Sequence, residues 1–278
     1  MKISLKMSRN FKPQNDCFFL SLMHVSGNNN GMIFTLLLAF LLGFFAWFIS
    51  TLAAGGAATL LIPIIALSHF AFATAPIITV AALVANPTRV LAFYPHIHWP
   101  IAYRLMLGSA LGGALGAWFL VQLPLNLLKI LIALFLISTV FQYRFGQKRQ
   151  SFAMPLMAFA PLAAVVAFVS GVIGGSGPVL NPFLLNAGLE KEALIATKSI
   201  NSLFMQLVKL LTYGLVGLLT FEISSLGLAI GLGGALSVFA AKRHLAHINH
   251  AKFQQYTLIL MVIAGSIMLF TTLLDSLA

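Results

Sequence analysis

At 278 residues, with 60% apolar and only 8% charged side chains, the chain has too little polar surface to cover a water-soluble fold; soluble domains carry about a quarter charged residues. Sixteen Lys and Arg against five Asp and Glu give a net charge of +11. Most of these cations gather in tails and loops beside apolar runs, where they mark the cytoplasmic side of a membrane protein, and not a nucleic-acid footprint. The single cysteine, Cys17, excludes an intramolecular disulfide and a cysteine-based metal cluster. In hydrocarbon every backbone donor and acceptor must be satisfied within the chain, which leaves helices or a closed barrel. The apolar runs do not alternate and reach about 20 residues, so the expected fold is an all-α polytopic membrane protein.

Residues 1–31 form a polar tail with Lys2, Lys6, Arg9 and Lys12, and an apolar patch at 17–23 too short to span. No small-residue cleavage site follows it, so a cleaved signal peptide is not expected. Met32 directly precedes the first long apolar run, which makes it a candidate start with a dispensable tail. Apolar segments then fall at 32–53, 57–68, 75–95, 101–121, 125–143, 153–173, 178–187, 193–219, 223–241 and 253–274. The segments 57–68 and 178–187 are too short to cross about 30 Å of hydrocarbon alone. Each follows a glycine-rich break, Ala54-Gly55-Gly56-Ala57 or Gly174-Gly175-Ser176-Gly177, and each contains a proline, Pro63 or Pro182.

These breaks are one pair in a longer correspondence. Gly55-Gly56 through Pro63 sets against Gly174-Gly175 through Pro182, and Leu111-Gly112-Gly113-Ala114-Leu115 recurs as Leu232-Gly233-Gly234-Ala235-Leu236. Between these anchors Asn86-x-x-Arg89 sits opposite Gln206-x-x-Lys209, with a one-residue slip. The offset stays close to 120 residues. The expected organisation is therefore residues 32–145 as one transmembrane repeat and 146–278 as a second, each with a broken helix, a common transporter design. Whether the repeats are inverted or parallel depends on whether the short segments cross. Basic residues in the tail, the central loop (Arg144, Lys148, Arg149) and the loop 242–252 leave orientation open.

Two sets of residues carry candidate chemistry. A helix broken at membrane depth frees backbone N–H groups, tolerated only against protein or a cavity, and the following half-helix N-terminus favours an anion. Gly55, Gly56, Gly174, Gly175, Ser176 and Gly177 are thus candidate substrate contacts, with Pro178 suited to a first helical turn. Close helix packing is the alternative use of such glycines. The second set is cationic: Arg89, Lys198 and Lys209 lie inside apolar segments, where an ionisable group is costly unless it faces a cavity or partner. Lys198 and Lys209 are eleven residues apart, about three turns, on one helical face. Ser199, Asn201, Ser202 and Gln206 lie on or beside that stripe, and Asn86 accompanies Arg89.

No acidic residue lies inside an apolar segment as an obvious partner, so the three cations point to an anionic substrate. Snorkelling of Arg89 or Lys209 to the headgroups, and pairing of Lys198 with Glu190 or Glu192, are the competing readings. His96, His98, His244, His247 and His250 read as interfacial, not metal-binding. No nucleotide-binding loop, Ser-His-Asp set or paired catalytic carboxylates occur, so neither an ATP-driven pump nor a membrane hydrolase is expected.

The duplicated Gly-Gly break leading to proline, followed by a helix beginning Ala196-Thr197-Lys198-Ser199 and ending near Tyr213-Gly214, resembles the sulfite exporter TauE/SafE family of permeases. The likeness runs from about residue 33 to 274 and is most specific over Gly171–Gly214. The first copy departs from the family's usual glycine triplet, reading Ala53-Ala54-Gly55-Gly56-Ala57, and Asn181 lies directly before Pro182 in the second. The resemblance implies a multi-pass protein of the bacterial inner membrane. It also implies secondary transport of small sulfur-containing anions such as sulfite, sulfonates or sulfoacetate, coupled to H+ or Na+, without a cofactor. A passive anion channel and a non-transporting scaffold are the alternatives.

Overall fold

A computed structural model describes residues 29–52, 57–67, 71–145, 154–175, 179–189, 191–244, 262–263 and 265–274. Gly55, Gly56, Ser176, Gly177, Pro178 and Glu190, together with the tail and most of the basic loops, lie outside the described residues. The described residues are mostly helical, without a strand. The helices are α1 (Asn29–Leu52), α2 (Ala57–Ala66), α3 (Thr74–Phe93), α4 (Trp99–Leu120), α5 (Leu125–Phe145), α6 (Phe159–Ile173), α7 (Asn181–Asn186), α8 (Lys191–Leu215) and α9 (Phe221–His244). A further short apolar helix, α10, covers Gly265–Leu274. Among the described residues, five stretches are long and apolar enough to cross a membrane: Gly31–Thr51, Thr74–His96, Leu156–Ile173, Glu192–Leu215 and Phe221–Lys242. The chain is an integral multi-pass membrane protein.

Local chemistry sets most boundaries. Pro100 stands in the first turn of α4 and starts it at Trp99. Glu192 lies in the first turn of α8, where a carboxylate suits the helix dipole. At the end of α6, Gly174 adopts a left-handed φ of 106° while its N–H still bonds the carbonyl of Ser170 at 2.9 Å. That conformation favours glycine and ends the helix. The expected segment 178–187 contracts to the six residues of α7, with Pro182 in its first turn. The segment 57–68 becomes α2, carrying Pro63 inside it.

Glycine rows fix how the long helices pack. Gly108, Gly112 and Gly116 of α4 meet the backbone of Ala160, Ala164 and Phe168 of α6 in step, so these two helices run parallel. Gly227, Gly231 and Gly234 of α9 meet Val80, Ala81 and Ala85 of α3, and Lys242 reaches the carbonyl of Ala92 at 2.8 Å, so α9 runs parallel to α3. Asn86 bonds Ser202, while Phe93 packs with Ile195, so α3 and α8 are antiparallel. Finally, α9 packs on α1, with Gly233 against Phe40 and Gly43 against Ile230. With no water to drive helices together, such close backbone contact supplies van der Waals cohesion. On the other side, Leu107, Leu111, Leu115 and Trp118 of α4 and Leu228, Leu232, Leu236 and Phe239 of α9 point outward. The two LGGAL sequences therefore pack through their glycines and show their leucines to lipid.

Candidate functional site

Where α1, α2, α3, α6 and α8 converge, a cavity of about 70 Å³ opens. One water needs only about 10–15 Å³ of such space, so several waters or one small ion fit. The polar wall comes mainly from α8, through Lys198, Ser199, Asn201, Ser202 and Gln206. Their spacing places them on adjoining stripes of one helical face. Opposite them α3 contributes Asn86 and Arg89. Pro87 sits between this pair; it has no N–H, so the Leu83 carbonyl loses its helical partner within the same region. The first turn of α2, Ala57 and Ala58, and Gly175 after α6 complete the wall on one side. A side chain at Gly175 would run into Ala58, so the second glycine-rich break touches the start of the helix that follows the first.

Hydroxyls hold Arg89 and Lys209, and an amide oxygen is one partner of Lys198. Arg89, 8% exposed, donates through Nη2 to Thr51 Oγ1 at 2.8 Å and to Ser50 Oγ at 3.2 Å, in the last turn of α1. Lys209, wholly buried, donates to Ser170 Oγ at 3.2 Å, in the last turn of α6. Both cations therefore approach the C-terminal end of a helix, where the backbone dipole favours positive charge. In each case the serine precedes its cation by 39 residues. Tyr213, one turn beyond Lys209, donates to the carbonyl of Gly171 at the same helix end. Lys198 donates to Asn181 Oδ1 at 2.7 Å, tying α8 to the start of α7. Asn86 Nδ2 donates to Ser202 Oγ at 2.9 Å, and Ser109 Oγ donates to Asn201 Oδ1 at 2.9 Å. No carboxylate lines the cavity among the described residues.

Of the residues singled out from the sequence, Asn86, Arg89, Gly175, Lys198, Ser199, Asn201, Ser202 and Gln206 share the cavity wall. Asn181 stands behind Lys198, and Gly174 caps α6. Lys209 takes part only through Ser170, which lines the cavity in its place. Snorkelling of Arg89 or Lys209 is overturned by their burial. The sequence reading did not single out Trp47, Ser50, Thr51 and Ser170. The serines had a signal: Ser50 and Ser170 obey the same offset of about 120 residues that pairs Arg89 with Lys209. From this placement, Lys209→Met is expected to change the KM for a transported anion by less than about threefold, since Lys209 bonds a wall residue and not the cavity. A steady-state flux assay on reconstituted protein checks this, and a KM shift above tenfold would put Lys209 in direct contact with the ligand.

The comparisons with known proteins agree with this architecture. A relative from Bacillus subtilis (strain 168), described as "Probable membrane transporter protein YtnM", is 32% identical over 105 residues, covering 34% of this chain and 35% of the relative. The match thus spans about a third of that protein's length. No solved structure matches the chain. The profile described as "Sulfite exporter TauE/SafE" matches residues 39–268, from within α1 to within α10. With most of its length covered by that profile, the chain belongs to the sulfite exporter TauE/SafE family.

Proposed function

We propose that the chain is a secondary transporter of small anions, taking sulfur-containing oxyanions or organosulfonates such as sulfite or sulfoacetate by alternating access. One observation carries the reading: Arg89 and Lys198 share the wall of a small buried cavity whose described lining holds no carboxylate. Burying cationic side chains is costly, and an anion held between Arg89 and Lys198 would offset that cost. The family's description and the relative's name support transport over catalysis. Asn86, Ser199, Asn201, Ser202 and Gln206 would orient the ion, with Gly55, Gly56, Gly174, Gly175, Ser176 and Gly177 as its backbone neighbours and Asn181 fixing Lys198. Lys209 braces the end of α6.

The helix directions support two inverted halves, residues 32–145 and 146–278. Under the sequence pairing, α3 corresponds to α8 and α4 to α9, and each runs opposite to its counterpart. Inverted halves meeting at a central site allow one half to rock against the other, exposing the ion to each side in turn. Uptake would be coupled to H+ or Na+.

Flux of radiolabelled sulfite into proteoliposomes tests the reading, with sulfate, thiosulfate and a short sulfonate as competitors. Saturable uptake that accelerates when unlabelled sulfite is preloaded inside is the expected result. Current that follows only the membrane potential, without saturation or counterflow, would make the protein a channel. Absence of flux for every one of these anions, from folded protein, would sink the sulfur-anion assignment and leave the family and the fold.

A further inference from the structure

Three buried polar atoms in the cavity-lining side chains have no partner among the described residues: Trp47 Nε1, Arg89 Nε and Gln206 Oε1. Trp47 is 2% exposed, Arg89 8% and Gln206 4%, so bulk water does not satisfy them. A buried donor or acceptor left unmade is costly, and such groups in a native site call for an occupant. Two of the three are donors, and they belong to one wall. Arg89 bonds Ser50 and Thr51, and the Thr51 hydroxyl donates to the Trp47 carbonyl at 2.8 Å, so the Arg89 guanidinium docks on α1 one helical turn from Trp47. The indole ring is held there by Gly234 and Ala85: a Cβ on Gly234 would come within 2.8 Å of the Trp47 ring and 3.0 Å of Ala85. The third atom, Gln206 Oε1, is an acceptor from α8. An oxyanion with oxygens alone serves the donors and leaves the acceptor orphaned.

We propose that the cavity selects a small oxyanion carrying a hydroxyl group: Trp47 Nε1–H and Arg89 Nε–H donate to its oxygens, and Gln206 Oε1 accepts from the hydroxyl. The inference rests on the cavity being the anion site. The donor is a hydroxyl and not an ammonium, because Arg89 and Lys198 both line the cavity and repel a further cationic group. The small volume limits the ligand to one or two carbons beyond the oxyanion. Trp47 thereby becomes a ligand-contacting residue, and Gln206 the residue that sets preference.

The test is tryptophan fluorescence of purified protein in detergent. Three tryptophans are present, and replacing Trp99 and Trp118 by phenylalanine leaves Trp47 as the reporter. The probes are hydroxymethanesulfonate and methanesulfonate, which share the sulfonate and differ by one hydroxyl. Hydroxymethanesulfonate is expected to bind at least about tenfold more tightly, as sites built to pair a hydroxyl reject the analogue without it. Gln206→Met is expected to abolish that preference and leave methanesulfonate affinity within about twofold. Equal affinities in the otherwise unaltered protein would overturn the proposal, and so would a preference that survives Gln206→Met. Loss of methanesulfonate binding in that variant would also overturn it, by showing that the amide donates to the anion. Trp47→Phe, read by calorimetry, is expected to weaken both probes alike, and unchanged binding would remove the indole from the site. A protein that binds neither probe nor sulfite refutes the anion reading beneath the proposal, an outcome distinct from equal binding of the two probes.

Discussion

Replacing Arg89 by methionine is expected to lower kcat/KM for sulfite uptake by on the order of 10²- to 10³-fold while the protein still folds. Truncating one partner of a buried charge pair costs about 2–5 kcal/mol, and each 1.4 kcal/mol is about a tenfold change. The fold survives because methionine fills much of the same space and removes a charge whose burial is itself unfavourable. The hydroxyl that loses its donor keeps a role, since Thr51 Oγ1 still donates to the Trp47 carbonyl. Arg89→Lys separates charge from geometry. It restores the cation as a compact point charge but not the fixed fork of donors, so about a tenfold deficit is expected to remain. Lys198→Ala is expected to cost as much as Arg89→Met, because it removes the second cation that lines the same cavity. Flux unchanged in both variants, with saturable uptake by the unaltered protein, would take the site out of this cavity.

The unequal visibility of the site in the sequence follows from how each residue is placed. Lys198, Asn201, Ser202 and Gln206 stand out because polar side chains recurring at helical spacing in an apolar segment define a face. Trp47 and Ser50 sit in α1, a run so apolar that one indole and one hydroxyl read as ordinary packing. Only the bond from Arg89, 39 residues on, shows what Ser50 does. Lys209 is the converse case. It shares a helix with Lys198, and periodicity alone groups the two. The structure separates them, because Lys198 reaches Asn181 while Lys209 reaches back to the end of α6. Hydropathy located nearly every helix but carries no sign for its direction. The parallel runs of α4 with α6 and of α3 with α9 emerge from glycine contacts between segments about 50 and 150 residues apart. The contraction of 178–187 to the one and a half turns of α7 also escapes periodicity, because so short an apolar run fits a loop as well as a helix.

Gly112→Val is expected to lower the thermal midpoint of the detergent-solubilised protein by on the order of 10 °C. A Cβ at residue 112 would collide with the carbonyl of Ala164, which is backbone and cannot rotate away. Gly108 and Gly116 face Ala160 and Phe168 in the same manner, so α4 and α6 must separate along their shared length for one branched side chain to fit. Overpacking costs about 1–3 kcal/mol and occasionally more, and an unyielding obstacle places this site at the upper end. For a chain of this size each kcal/mol moves the midpoint by roughly 2–4 °C. Leu111→Ala is the control. Leu111 is 69% exposed, faces lipid, and is expected to shift stability by less than about 0.5 kcal/mol. Gly233→Val meets the carbonyl of Phe40 and is expected to shift the midpoint as far as Gly112→Val does. The two interfaces lie apart, so the double variant is expected to show nearly the sum of the single effects. Heating followed by size-exclusion chromatography measures all four variants. A Gly112→Val protein as stable as the unaltered one would mean that α4 and α6 do not pack through their glycines. In that event the close contact that joins α4 of the first half to α6 of the second would be lost.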